Sequence, residues 1–243
     1  MSNRRQLEFE LRRFPYPFRN VVTANTASKT LTQSQTGSVQ TNLGATGAVT
    51  LTLPQQVQKG QFYDFAVAAA QDLRIEPGAA GALYINGAKQ TDNKYAESAY
   101  IGDTMRATAD GNDDWICSIA PPLEVSGLYD ASSVDLRFFT ANRPYRIIGA
   151  YKTTTVQASD AGAVTAMIRN VSSGTAIASG LTVITATFNL KLTTDTAIVG
   201  TLSATDANLD LVAGDSLALD FTGTMTAATG VITVLLSPWK VVT

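Results

Sequence analysis

Histidine is absent from the 243 residues, and cysteine occurs once, at Cys117. Without histidine there is no Ser-His or Cys-His nucleophilic pair, no ordinary titration near neutral pH and none of the commonest metal ligand. A single thiol forms no internal disulfide and no multi-cysteine zinc site. Cys117 sits in an apolar run and reads as a small buried hydrophobe of a strand. Charge is also scarce. Asp, Glu, Lys and Arg make up 16% of the chain, where an average globular protein carries about a quarter. The formal net charge is −2, so the body offers no basic surface to neutralise a phosphate backbone, and nucleic acid is not expected as a partner. No window reaches the ~18 apolar residues of a membrane-spanning helix, and no apolar stretch follows the N-terminal arginines as it would in a secretory leader. The expectation is a chain made in a cytoplasm, with no membrane partner, no metal and no cofactor.

What is present is β grammar. A hydrophobic content of 45% is enough for the core of one large or two smaller domains, and the Thr-rich, Gly-punctuated composition favours strands and turns. Val49-Thr50-Leu51-Thr52-Leu53 alternates and stops at Pro54. Leu73-Arg74-Ile75-Glu76 stops at Pro77-Gly78. Leu83-Tyr84-Ile85 meets Asn86-Gly87, a strong hairpin signal. Leu217-Ala218-Leu219-Asp220-Phe221 alternates after the turn Ala213-Gly214-Asp215. Short strands about ten residues apart predict an all-β fold of sandwich or barrel type. No helical periodicity extends beyond about two turns; residues 66–72 form a helical turn at most. No internal repeat of fixed period is visible.

The spacing of these signals predicts an extended N-terminal arm over 1–40, a first β domain over 41–123, a hinge at 124–133 after Pro121-Pro122, and a second β domain over 134–243. The arm opens on a period of two, Leu7, Phe9 and Leu11 against Glu8, Glu10 and Arg12, which is a strand signal. Phe14-Pro15-Tyr16-Pro17-Phe18 then favours an extended, polyproline-like course. A strand tethered in this way either adds to the sheet edge of a neighbouring subunit, or folds back on its own domain as an edge strand or tail. Arg4, Arg5, Leu7, Phe9, Leu11, Arg12, Arg13, Phe14 and Tyr16 form the candidate partner-binding surface. The aromatics suit an apolar groove on a partner protein, and the arginines suit carboxylates.

Other motifs yield to structural readings. Gly214-Asp215-Ser216-Leu217 spells the signature of a lipolytic hydrolase family. That family needs a base, usually histidine, and carries the motif near its N-terminus. A Gly-Asp turn feeding a strand accounts for it here. Asp110-Gly111-Asn112-Asp113-Asp114 lacks the spacing of an EF-hand loop and reads as a polar hairpin tip. Asn170-Val171-Ser172 fits a glycosylation sequon, which is without consequence where no leader is present. No catalytic residue is assigned.

Two stretches resemble modules of tailed-bacteriophage virion proteins. The first runs Asn42-Leu43-Gly44-Ala45-Thr46-Gly47-Ala48-Val49-Thr50-Leu51-Thr52-Leu53-Pro54, then Gly60-Gln61-Phe62-Tyr63-Asp64-Phe65, and ends at Asp110-Gly111-Asn112-Asp113-Asp114-Trp115. The second runs Thr140-Ala141-Asn142-Arg143-Pro144-Tyr145-Arg146-Ile147 and resumes at Leu211-Val212-Ala213-Gly214-Asp215-Ser216-Leu217-Ala218-Leu219-Asp220-Phe221. The second resembles a jelly-roll-like sandwich. The resemblance covers about four-fifths of the chain, leaves out the arm, and rests largely on turns and alternation. It implies a non-enzymatic capsid decoration or cement protein on the outer surface of the particle. The implied partners are further copies of itself, as a homotrimer, and the major capsid protein or another virion protein. The alternative is a tail-fibre or receptor-binding component that recognises a host surface glycan or protein.

Overall fold

Alternation of apolar and polar side chains becomes alternation of buried and exposed faces throughout the structure, a computed structural model that describes residues 21–85, 88–90 and 94–242. The fold is predominantly β and is organised as four sheets. The chain divides into two units, one over Met1–Ile119 with Val241–Thr243 and one over Ala120–Lys240.

The first unit carries β1 (Val22–Ala24), β2 (Lys29–Thr30), β3 (Val39–Thr41), β4 (Val49–Thr52), β5 (Phe62–Ala66), β6 (Leu73–Glu76), β7 (Leu83–Ile85), β8 (Ala88–Lys89), β9 (Tyr95–Ser98), β10 (Thr104–Ala109) and β11 (Trp115–Ile119). One sheet runs β1-β3-β5-β10-β11-β7-β8. The other runs β2-β4-β6-β9 and is completed by β22 (Lys240–Val242). The first six strands visit the two sheets alternately, and within each sheet they lie parallel. Each circuit of the chain therefore lays one strand on either sheet, as in a short solenoid. The corners of successive circuits are tied by asparagine. Asn25 donates to Thr41 O at 3.0 Å. Asn42, one circuit on and fully buried, accepts from Ala68 N and Ala69 N and donates to Ala69 O and Gln71 O. These turns bury backbone that has no strand partner, and the Asn amide replaces the water it has lost.

One expectation is corrected here. Residues 21–40 belong to the first unit's sheets, not to an arm. Their polar side chains are compatible with burial because they bond one another, as Asn25 with Gln40 and Gln40 with Ser38. The start of this domain is paired in parallel. The repeat escapes the sequence because its circuits are uneven: the step is 17 residues from Val22 to Val39, 25 from Val39 to Asp64 and 22 from Lys29 to Leu51. Residues 67–72 form an irregular turn folded around Asn42 and contain no helix. Hairpin pairing does occur later, between β10 and β11 and between β7 and β8, where Asn86-Gly87 itself lies outside the described residues.

The second unit carries β12 (Leu123–Tyr129), β13 (Leu136–Thr140), β14 (Tyr145–Val156), β15 (Thr165–Val171), β16 (Leu181–Thr182), β17 (Phe188–Asn189), β18 (Ala197–Val199), a single helical turn α1 (Asp206–Leu209), β19 (Asp210–Leu211), β20 (Ser216–Thr222) and β21 (Thr229–Ser237). Two antiparallel sheets, β12-β21-β14-β18 and β13-β20-β15-β16, face each other across one core. Taken in chain order as eight strands, the first sheet holds strands one, eight, three and six, and the second holds two, seven, four and five. That is jelly-roll connectivity. The core is filled from both sheets, by Ile147, Ala150, Ile232, Val234 and Leu236 on one side and Ala166, Ile168, Leu217 and Leu219 on the other. Each fully buried Leu or Ile contributes about 1.5–3 kcal/mol. Lys152 also points inward, 1% exposed. Its ammonium donates to Asn189 O at 3.0 Å and Leu192 O at 2.9 Å, and burial lowers its pKa.

The expected hinge at 124–133 is corrected as well. Its first six residues belong to β12, which pairs along β21 from Leu123↔Leu236 to Tyr129↔Gly230. The proline pair ends at Pro122 and disrupts pairing only at its own positions. Only Asp130–Ser133 form a turn, closed by the Asp130 carboxylate on the Ser132 amide. The one-turn helix α1, unexpected from the sequence, is tied down by Arg146, which bonds both Asp206 and Asp210.

Because Asn42 satisfies four backbone groups at once, Asn42→Ala is expected to lower the stability of the first unit by about 3 kcal/mol. Denaturant unfolding followed through buried Trp115, in a Trp239→Phe background, measures this. A change under about 0.5 kcal/mol, the range of an ordinary surface substitution, would show that the corner does not depend on the side chain.

Candidate interaction surface

The predicted arm surface, Arg4, Arg5, Leu7, Phe9, Leu11, Arg12, Arg13, Phe14 and Tyr16, lies outside the described residues. The other motifs are placed in detail. Gly214, at φ +96°, makes the turn that Asp215 closes by accepting from Val212 N at 3.0 Å. Ser216 then starts β20 with its hydroxyl 3.2 Å from Thr140 Oγ1 and 3.4 Å from Arg137 Nη1. A hydroxyl and a guanidinium remove no proton from a serine, so these neighbours do not activate it.

The acidic hairpin tip is equally committed to backbone. Asp110 accepts from Asn112 N and Asp113 from Gln56 N. Asp114 accepts from Ala82 N and from Lys89 Nζ, and the bond to Lys89 holds its carboxyl below the ordinary range. The carboxylates do not converge on one point. Among the described residues no group of three or more Cys, Asp or Glu side chains is arranged to hold a metal ion, and no helix is long and apolar enough to cross a membrane. Cys117 is buried on β11, and burial pushes its thiol up to about 12.

A different feature stands out. On β21, Ile232, Val234 and Leu236 face the core, so Val231, Thr233 and Leu235 face outward. Register carries this outer face across the sheet, because paired residues share a face. Leu128, Val231, Thr153 and Ala197 form one row; Ser126, Thr233, Tyr151 and Val199 form the next; Glu124, Leu235 and Gly149 form the third. Contacts confirm it: Ser126 Oγ lies 2.9 Å from Thr233 Oγ1, and both Tyr151 and Leu235 lie within 3.3 Å of where a Cβ on Gly149 would stand. Leu128 is 74% exposed and Val199 68%. Glu124 is the sole ionisable carboxylate or cation among these residues.

The opposite sheet is built differently. Arg169 pairs with Asp220 at 2.8 Å on its outer side, and Arg137 reaches the hydroxyl of Ser216 and the carbonyl of Thr175. One sheet thus presents charge, while the other presents an apolar and hydroxyl-bearing face. Exposed apolar patches larger than a few hundred Å² and rimmed by polar residues mark interaction sites. The sequence carried a signal for it. Residues 231–236 are apolar in both phases apart from Thr233, the pattern of a strand covered on both sides.

No protein-family model and no curated protein matches this sequence. Among solved structures, the chain is similar to one from the infectious bursal disease virus Gx strain, at 14% identity and a TM-score of 0.27, over 61% of this chain and 43% of that one. The chain thus spans less than half the length of that protein.

Burial disfavours the thiolate of Cys117, and the thiolate is the reactive form. Maleimide labelling at pH 8 is therefore expected to be slow in the folded chain and to accelerate only with unfolding. Complete labelling within minutes in the absence of denaturant would show that β11 opens to solvent.

Proposed function

We propose that the protein is a structural component of a tailed-phage virion, decorating and stabilising the capsid by bridging shell subunits, as a trimer. The observation that carries this reading is the second unit: a jelly roll whose interior is filled by side chains and whose one outer sheet face is almost free of charge. Jelly rolls recur in capsid and lectin domains, but the fold alone names no function. The open apolar sheet face supports a role in protein contact, as does the resemblance of the two sequence stretches to virion modules.

The physical task suits such a molecule. Bridging a shell requires many contacts, each weak, repeated by symmetry so that avidity accumulates. The N-terminal residues supply the attachment, with arginines for carboxylates and Phe14 and Tyr16 as anchors on the shell or a neighbouring copy. The proposal assigns no enzymatic activity, in keeping with a chain that lacks histidine and with the neighbours of Ser216. The adhesin reading draws less support: the exposed large hydrophobics of the second unit are all aliphatic among the described residues, whereas sugar-binding surfaces use exposed aromatic rings.

Deletion of residues 1–20 is expected to abolish attachment to particles lacking the protein and to leave the remaining chain folded, with the β-type circular dichroism of its two units retained. Attachment retained at wild-type level would overturn the role of the arm.

A further inference from the structure

β12 is paired on one side only. It ends its sheet in the order β12-β21-β14-β18, and among the described residues no other strand follows it. Leu123–Tyr129 therefore present an open row of backbone donors and acceptors, a feature that soluble proteins usually cover or blunt. Nothing blunts this edge. It contains no proline, its pairing to β21 runs without a bulge, and Glu124 is its one charge.

The inward phase of the edge is closed at Gly127 and Tyr129 and half-open at Val125. Val125 and Phe138 pack on the core yet remain partly exposed. Gly127 is buried, and the space a Cβ would need there is already taken by Phe138 at 2.9 Å and Leu219 at 3.1 Å. The edge is also flanked by acid, Glu124 at its start and Asp130 just beyond its end, both exposed.

The chain itself contains a segment that fits. In residues 6–13 the apolar Leu7, Phe9 and Leu11 alternate with Glu8, Glu10 and Arg12, and arginine pairs flank the run, Arg4-Arg5 before it and Arg12-Arg13 at its end. Its eight residues match the seven of β12. Its arginine pairs match the acids at the two ends of the edge. Seven residues, Phe14 to Asn20, join it to Val21, an extended reach of about 20 Å.

We propose that residues 6–13 add to β12 as an antiparallel strand, with Arg12 opposite Glu124, Phe9 opposite Gly127 and Arg5 beside Asp130. In this register Leu7, Phe9 and Leu11 lie on the same side of the sheet as Tyr129, Gly127 and Val125. Glu8 and Glu10 face outward beside Leu128 and Ser126. Antiparallel pairing is the more stable per residue and sets Arg12 directly against Glu124. This placement stands on the edge and the segment alone. That the strand clamps neighbouring copies on a particle is a consequence that rests, in addition, on the proposed function.

Disulfide trapping in the full-length chain tests the register. Glu10→Cys with Ser126→Cys sets two thiols opposite each other on the outer side, while Glu8→Cys with Ser126→Cys matches the parallel arrangement. Ser126 is exposed, and buried Cys117 does not compete. The first pair is expected to oxidise about tenfold faster than the second, because disulfide geometry tolerates only a narrow Cα separation. A bond within one chain and a bond between two chains both place the segment on the edge, and the mass of the product identifies the donor. Adding Arg12→Glu should slow trapping, and Glu124→Arg in the same chain should restore it. No disulfide from either pair, equal rates, or faster trapping of the Glu8 pair would overturn the proposal. These readouts use the isolated protein, so their failure is distinct from a failure to attach to particles.

Discussion

The pairing of β14 with β21 is the constraint on which the second unit depends. It is the longest ladder in the molecule, running from Arg146↔Ser237 to Val156↔Thr229 and absorbing two local register shifts. A slip of one residue would exchange faces along the whole ladder. Ile232, Val234 and Leu236 would be driven into solvent, and Val231, Thr233 and Leu235 into the core. With that register fixed, β12 must lie on the far side of β21 and become an edge. The outer face must gather Tyr151, Leu235 and Val231. Lys152 must turn inward, where only the carbonyls of Asn189 and Leu192 receive it. The nearly uncharged outer face and the buried lysine thus follow from a single choice of register.

The first unit is held by another means. Its parallel strands come from successive circuits, and parallel neighbours need long connections. Those connections carry backbone groups that no strand satisfies, and Asn25 and Asn42 satisfy them. A composition rich in Thr, Ser, Asn and Gln, which elsewhere signals loops, here supplies the corners of a layered β structure.

Much of the strand content is legible in the sequence, because alternation in Val49-Thr50-Leu51-Thr52 or Leu73-Arg74-Ile75-Glu76 reports one buried face directly. Pairing partners are not, because alternation is the same for parallel and antiparallel neighbours. Polar residues 21–40 read as an arm since nothing in their composition reveals that Asn25, Gln40 and Ser38 bond one another. Leu123–Tyr129 also alternate, but the preceding Pro121-Pro122 dominates a local reading. The outer face of the jelly roll is legible in part, in the two-phase apolar run near Val231, and becomes a surface only once register aligns it with Leu128, Tyr151 and Val199. The predicted arm residues lie outside the described part of the chain, so they bear on function through their pattern and charge.

The proposed role as a lattice component makes a numerical demand that a tail fibre or adhesin does not share. The most direct measurement is the number of copies of this chain per particle, relative to the major capsid protein, by quantitative mass spectrometry of purified virions. The account predicts a number of the same order as the capsid protein. A few copies per particle, or none, would contradict it.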